Sequence, residues 1–366
     1  MDTESLKYFP TNCSEVCAYL QIDVSSNVTE SQLTEAFKNV KTLYGFVKIS
    51  KSNFTSLEFF ENLEHLECEP GESLKLDYNS LMTEIGMQKL KSTTCNVVIS
   101  YSPLMTRFNL PSLKNFNSTY QLKFDTSYLF SANFCMSVEE ITNFCSESNL
   151  EFFPPPGSYC SPQNSTVYGE RICEIPSNTT LESLDSNCQR LLGTLVLRSG
   201  DENLVWKLKN VTWIYGRVVI EDTNLTAVDF FDNLQYLVLM EKNISLFQAL
   251  RNRNLANATF PKLRKLIAPT LFSPSPMIFL GNHENLRLNS NSSICSEIMT
   301  NSDTWQWHFL EIDKKRCEEI QEELMIIHGT GGAKRISRYP DFLGVATSSQ
   351  SATCFCSPRL ILDSKI

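Results

Sequence analysis

The sequence predicts a mainly β repeat solenoid, built twice in tandem. Three observations carry the prediction. One stretch occurs twice, each copy alternates apolar and polar residues with the period of a strand, and apolar segments return about every 20–27 residues in both halves.

Residues 43–68, LYGFVKISKSNFTSLEFFENLEHLEC, align without a gap on residues 214–239, IYGRVVIEDTNLTAVDFFDNLQYLVL. The offset stays at 171 (Tyr215 minus Tyr44), and 11 of the 26 positions are identical. Ordinary amino-acid usage gives about one or two such matches by accident, so the chain is a duplicated unit. Val47 and Ile49 alternate with Phe46 and Lys48 as in a strand with one buried face, and Val218 and Ile220 hold the same positions in the second copy. Ser-Lys-Ser-Asn or Glu-Asp-Thr-Asn then supplies a polar turn. A Phe-Phe pair and an N-L-x-x-L tail complete the unit. Such a coil stacks its apolar residues on the next coil because it cannot bury them alone. The tail asparagines, Asn62 and Asn233, are placed to hydrogen-bond exposed backbone at a corner.

G-x-V-x-I, a polar corner, then F-F-x-N-L-x-x-L resembles the receptor L domain of insulin and epidermal-growth-factor (EGF) receptors. Two such domains without a kinase are most similar to the nematode insulin/EGF-receptor L-domain proteins. The resemblance implies a right-handed single-stranded β-helix, leucine-rich-repeat-like and with short capping helices, in each half. It divides the chain into a first L domain at 13–145, a Pro- and Cys-containing linker at 146–187, a second L domain at 188–317 and a tail at 318–366.

In order along the chain, CSEVCAYLQIDV (13–24) answers CQRLLGTLVL (188–197) as the opening coil. Residues 30–40 suit a short helix or turn. The stretch 73–85 is expected as connecting helix or loop, and CNVVISY (95–101) as the next strand. LPSLKNF (110–116) and YQLKF (120–124) add coils, FPKLRKL (260–266) answers LPSLKNF, and 282–290 is the last coil. Solenoid ends need covers, so 134–145 and 293–317 are expected as caps. The linker holds Pro-Pro-Pro-Gly at 154–157; the tail from about Gly329 reads as disordered.

With 366 residues, 42% apolar and 20% charged, the chain can bury two ordinary cores. Its net charge of −9 argues against nucleic acid and acidic membrane surfaces as partners. No run approaches the ~18 apolar residues of a membrane span. Thirteen cysteines point to an oxidising compartment. So do the N-x-S/T triplets at Asn27, Asn53, Asn117, Asn164, Asn178, Asn210, Asn224, Asn243, Asn257 and Asn291, read as glycosylation sites. An extracellular chain, secreted or a cell-surface ectodomain, is therefore expected. Residues 1–12 lack the apolar core of a signal peptide; the resemblance places a further segment and cysteine before Cys13, so a start upstream is expected.

The resemblance also implies that Cys173 pairs with Cys188, and that the partner of Cys13 lies upstream, leaving Cys13 free or paired with Cys17. Cys295–Cys317 is expected across the second cap. Cys135 pairs with Cys160 or Cys145. Cys68 is either a buried thiol or bridged to Cys95, 27 residues on.

No catalytic constellation emerges. His65 stands where the second copy has Tyr236; His283, His308 and His328 have no metal or triad spacing. Cys13/Cys17 and Cys354/Cys356 make half a zinc site with no second half. Gly329-Thr-Gly-Gly lacks the strand, Lys and helix of a phosphate loop. Trp305 and Trp307 read as packing of a cap, and the acidic run 317–324 as its solvated face. No enzyme activity, metal or cofactor is expected. The expected function is non-catalytic capture of an insulin- or EGF-like peptide growth factor, or modulation of its receptor ectodomain. The alternatives are a structural cell-surface glycoprotein and a β-helix polysaccharide-active enzyme. Strands without sequons are the better binding candidates, and no binding residue is named.

Overall fold

The computed structural model describes residues 1–176, 179–269, 277–281, 310–316 and 319. In the first half each repeat gives one short strand to each of two parallel sheets. After helix α1 (Thr3–Leu6) come β1 (Glu15–Cys17), β2 (Leu20–Asp23) and helix α2 (Glu30–Phe37). The pairs β3 (Thr42–Tyr44) and β4 (Val47–Ser50), β5 (His65–Glu67) and β6 (Ser73–Asp77), and β7 (Ser92–Thr93) and β8 (Asn96–Ser100) follow, then β9 (Leu122–Asp125). The chain continues through β10 (Cys135–Met136), helix α3 (Val138–Ser146), β11 (Leu150–Phe153) and β12 (Ser158–Tyr159). The short sheet runs β1-β3-β5-β7 and the long one β2-β4-β6-β8-β9-β11, every pairing parallel.

The register explains the periodicity. Leu20 faces Val47, Val47 faces Leu74, Leu74 faces Val97 and Val97 faces Phe124, so like residues stack in buried columns. Residues 73–77, expected as helix or loop, are strand β6. Leu74 and Leu76 alternate with Ser73, Lys75 and Asp77 at a period of two; the charged outer positions hid the strand. Helices α2 and α3 fall where the sequence placed a helix or turn at 30–40 and a cap at 134–145, whereas α1 was not expected. Thr29 caps α2, and Ser137 and Glu140 form a capping box on α3.

Asparagines join successive repeats. Asn62 Nδ2 donates to the Lys38 carbonyl at 2.9 Å, and Asn233 Nδ2 to the Lys209 carbonyl at 2.7 Å. At the other corner Asn79 and Asn252 are fully buried. Asn79 Oδ1 accepts from Ser52 N (3.0 Å) and Oγ (2.8 Å), and its Nδ2 donates to the Ile49 carbonyl (2.9 Å). Asn252 repeats all three bonds with Thr223 and Ile220. The glycine of the duplicated Tyr-Gly is equally constrained. Gly45 (φ +130°) and Gly216 (φ +146°) face a carbonyl of the preceding repeat, Ala18 and Gly193, with no room for a Cβ.

Residues 146–187, expected as a linker, are part of both halves. They supply β11 to the first long sheet, then a hairpin of β13 (Thr166–Val167) and β14 (Glu170–Ile175), and β14 pairs in parallel with β15 (Arg190–Gly193). The second half continues with β16 (Leu195–Leu197), β17 (Trp213–Tyr215), β18 (Val218–Glu221), β19 (Ala227–Val228), β20 (Tyr236–Val238) and β21 (Phe247–Leu250). Then come β22 (Asn257–Ala258), β23 (Lys265–Ile267), β24 (Met277–Leu280), β25 (Leu310–Ile312) and β26 (Lys315–Arg316). Its two large sheets run β13-β14-β15-β17-β20-β23 and β16-β18-β21-β24-β25-β26. The expected last coil at 282–290, most of the second cap, and the tail lie outside the described residues.

The halves are packed together. Trp213, Tyr215, Tyr236, Val238, Met240 and Ile267 belong to the same buried cluster as the first-half core. The rings of Trp213 and Tyr236 stack at 3.9 Å. Arg190, almost wholly buried, reaches Glu170 (2.6 Å) and Thr142 (2.9 Å), donates to the Tyr215 hydroxyl, and lies over the Trp213 ring. Lys265 Nζ donates to the Glu147 carbonyl (2.6 Å), and the Tyr159 hydroxyl to the Val238 carbonyl (2.6 Å). Satisfied polar groups within an apolar seam fix one arrangement of the two halves.

Candidate ligand-binding surface

At the end of three successive long-sheet strands in each half the chain turns through one residue in the left-handed region. In the first half these are Lys51 (φ +53°), Tyr78 (φ +56°) and Tyr101 (φ +51°); in the second, Asp222 (φ +54°), Arg251 (φ +58°) and Gly281 (φ +105°). The amides carry the ladder round the corner: Lys51 N donates to Asp77 O, Tyr78 N to Ser100 O and Tyr101 N to Tyr128 O. A left-handed conformation costs a non-glycine residue about 1–2 kcal/mol, and Gly281 is the residue that bears it freely. Tyrosine at two successive rungs thus adds backbone strain while contributing an exposed side chain, a pattern that points to use of the ring.

The rings form a column. Tyr78 and Tyr101 stack at 4.4 Å and 3°, Phe130 (φ +53°) sits 5.4 Å beyond Tyr101, and Tyr128 lies 6.1 Å from Phe130. Exposure is 48% for Tyr78, 41% for Tyr101 and 57% for Phe130, and Leu81 and Leu104 beside the tyrosines are exposed as well. Contiguous exposed apolar surface marks interaction sites, and tyrosine suits them with a large rigid ring and one polar tip. Desolvation, and then the neighbouring Tyr101, raises the pKa of the Tyr78 phenol above its usual value. Lys51, exposed, holds the corner one rung before Tyr78.

The duplicated position has the opposite chemistry. Asp222 takes the place of Lys51 at the offset of 171, and Arg251 binds its carboxylate through two nitrogens at 2.8 and 2.5 Å. Those bonds hold the Asp222 carboxyl below its usual value. Arg198 and Arg251 also reach Glu221, at 2.9 and 3.8 Å. This corner of the second half satisfies its own charges, whereas the first-half column carries exposed rings, Tyr78 and Tyr101 each covering one face of the other.

Sequence reasoning missed the column, although the signal was present. LDYNSLMT (76–83) and ISYSPLMT (99–106) match at Tyr, Leu, Met and Thr with an offset of 23. Two of those positions, Met82 and Met105, are buried, while Tyr78, Leu81, Tyr101 and Leu104 are exposed.

The other predicted positions fall as follows. Cys68 is bridged to Cys95, Cys135 to Cys160 and Cys173 to Cys188. Cys68 is therefore no buried thiol, and Cys145 is not the partner of Cys135. Cys145 is free and buried, and burial pushes its thiol up to about 12. Cys13 and Cys17 are both disulfide-bonded, so Cys13 is not free. His65 Nδ1 lies 2.7 Å from Ser92 Oγ along the short sheet, as a ladder residue. Asn27, Asn53, Asn117, Asn164, Asn210, Asn224, Asn243 and Asn257 are exposed. Asn178, Asn291, the Cys295–Cys317 pair, Trp305, Trp307, His283, His308, His328 and the Cys354/Cys356 pair lie outside the described residues. Among the described residues no group of three His, Cys, Asp or Glu side chains is placed to hold a metal, and no helix is long and apolar enough to cross a membrane.

The two halves are built alike from mainly parallel strands with an Asn-bonded corner, and among the described residues the aromatic column belongs to the first half. The sequence pattern of the receptor L domain matches residues 12–146 and 187–301, more than half of the chain, and the protein belongs to the receptor L domain family. It is also similar to Protein irld-34 of Caenorhabditis elegans, with 20% identity over 268 residues. That alignment covers 71% of this chain and 62% of the relative.

Proposed function

We propose that the protein is a non-catalytic, extracellular, receptor-like binding protein for a peptide growth factor of the insulin or EGF type, or a modulator of its receptor. Each half is read as a right-handed single-stranded β-helix, with 13–145 and 188–317 as the two L domains, 318–366 as a tail, and 146–187 joining them while giving β11 to the first half and β14 to the second. The observation that carries the reading is the exposed stack of Tyr78, Tyr101 and Phe130. A stacked aromatic ridge bordered by Leu81 and Leu104 suits the apolar face of a small helical or disulfide-stabilised peptide. Family membership supports binding as the activity. The disulfides Cys68–Cys95, Cys135–Cys160 and Cys173–Cys188 support an oxidising compartment.

The test is a titration of the immobilised, secreted full chain with insulin-like and EGF-like peptides and with receptor ectodomains. Saturable binding of one of them at micromolar concentration or below is expected. Its absence across the panel would overturn the proposal.

A further inference from the structure

Among the described residues, Tyr78 and Tyr101 are the one pair of tyrosines both exposed and stacked, at 4.4 Å with their planes 3° apart. The ladder holds them in line. Asp77 faces Ser100, Tyr78 N donates to the Ser100 carbonyl, and both tyrosines turn through the same left-handed conformation. Their side chains therefore leave adjacent rungs in one direction, which brings the ortho carbons (Cε) of the two phenols face to face. The other tyrosines differ. Tyr159 and Tyr215 meet edge-on at 6.2 Å, and Tyr215 is wholly buried. Tyr8 and Tyr168 are exposed, yet neither has a tyrosine ring against it among the described residues. The disulfide Cys68–Cys95 ties the same two repeats and indicates an oxidising environment.

We propose that Tyr78 and Tyr101 are a site of oxidative coupling, at which a haem peroxidase with hydrogen peroxide joins the two rings by a carbon–carbon bond within one chain. Each phenol gives up one electron and one proton, and the peroxide that takes them is reduced to two waters. The two phenoxyl radicals carry part of their unpaired spin on Cε, and pairing of those electrons forms the Cε–Cε bond. Each joined carbon then loses its hydrogen as a proton and each oxygen regains one, which restores two aromatic phenols. Holding both partners in place makes the coupling unimolecular, so it outpaces encounter between separate dilute chains. The bridge turns the two central rings of the column into one rigid unit and keeps the two repeats joined under thiols that open Cys68–Cys95. Coupling needs the two rings and the oxidant but no peptide, so this inference and the proposed function stand or fall separately.

The experiment treats the dilute, secreted full chain with hydrogen peroxide and a haem peroxidase, then isolates the monomer, reduces and alkylates it, and cuts it with trypsin. Residues 76–89 and 92–107 are the peptides that carry Tyr78 and Tyr101. They should appear joined, two hydrogens lighter than their sum, and the monomer should show dityrosine fluorescence. Tyr101→Phe keeps a ring in the stack but removes the phenol, and should abolish both signals; Tyr8→Phe should leave both in place. Absence of the joined peptides from the monomer overturns the proposal, as does dityrosine found between chains alone. An undiminished signal in Tyr101→Phe overturns it too.

Discussion

Replacing Asn79 by alanine tests whether the buried asparagine corner joins one repeat to the next. The side chain is fully buried and makes three bonds, accepting from Ser52 N and Oγ and donating to the Ile49 carbonyl. A net hydrogen bond contributes about 1 kcal/mol, and a buried group left without a partner costs about 1–3 kcal/mol. Alanine strands the Ser52 amide and the Ile49 carbonyl together, so a loss of about 3 kcal/mol is expected. At a urea dependence of roughly 2–3 kcal/mol per molar, the unfolding midpoint followed by far-ultraviolet circular dichroism falls by about 1 M with an unchanged slope. Asn252→Ala should lose a similar amount, since its three bonds are the same. Asn53→Ala, at an exposed side chain, should stay within about 0.5 kcal/mol of the parent. If Asn79→Ala moves the midpoint no further than Asn53→Ala, the corner bonds do not join the repeats as described.

Arg190→Ala leaves Glu170 without its cation and removes the guanidinium bonds to the Tyr215 and Thr142 hydroxyls, which keep only the bond between them and that of Thr142 to the Val138 carbonyl. It should cost about 3 kcal/mol in thermal or urea unfolding, with Arg190→Lys failing to restore it because an ammonium lacks the planar fork. Burial raises the Glu140 carboxyl above its usual value against the bonds from Leu110 N and Ser137. With the folded-state pKa above the unfolded one, the linked stability is complete below the ordinary glutamate value and is lost as pH rises through the raised value. Glu140→Gln keeps a carbonyl for Leu110 N and removes that loss, so melting temperature against pH should be flatter than in the parent; an identical profile would contradict the assignment.

Much of the fold was legible because its period is short and its apolar columns are unbroken. Val47 and Ile49 read as a strand from alternation, Val218 and Ile220 followed from the duplication, and Asn62 and Asn233 each donate to the carbonyl of the preceding repeat, the role their corner suggested. Strand β6 was hidden because Lys75 and Asp77 give SLKLD the appearance of a connecting segment. The connection at 146–187 was hidden for a different reason: Leu150–Phe153 pairs with residues 28 positions earlier (Leu150 with Leu122) and Glu170–Ile175 with residues 18 positions later (Ile172 with Arg190), which local pattern does not reveal. The Tyr78–Tyr101 column escaped because alternation identifies buried faces, while a binding surface consists of residues that the core does not require. Only the 23-residue echo of Y-x-x-L-M-T marks it, and stacking across rungs becomes apparent once the register is known.

The central claim is that a peptide binds on the aromatic column of the first half. Its most direct measurement is the affinity of the tightest insulin- or EGF-like peptide for the secreted chain and for its Tyr78→Ala/Tyr101→Ala variant. Two stacked rings at the centre of an interface are worth about 2 kcal/mol or more, so a weakening of about 30-fold or greater is predicted, with circular dichroism unchanged because both rings are exposed. Equal affinity of parent and variant would contradict the account.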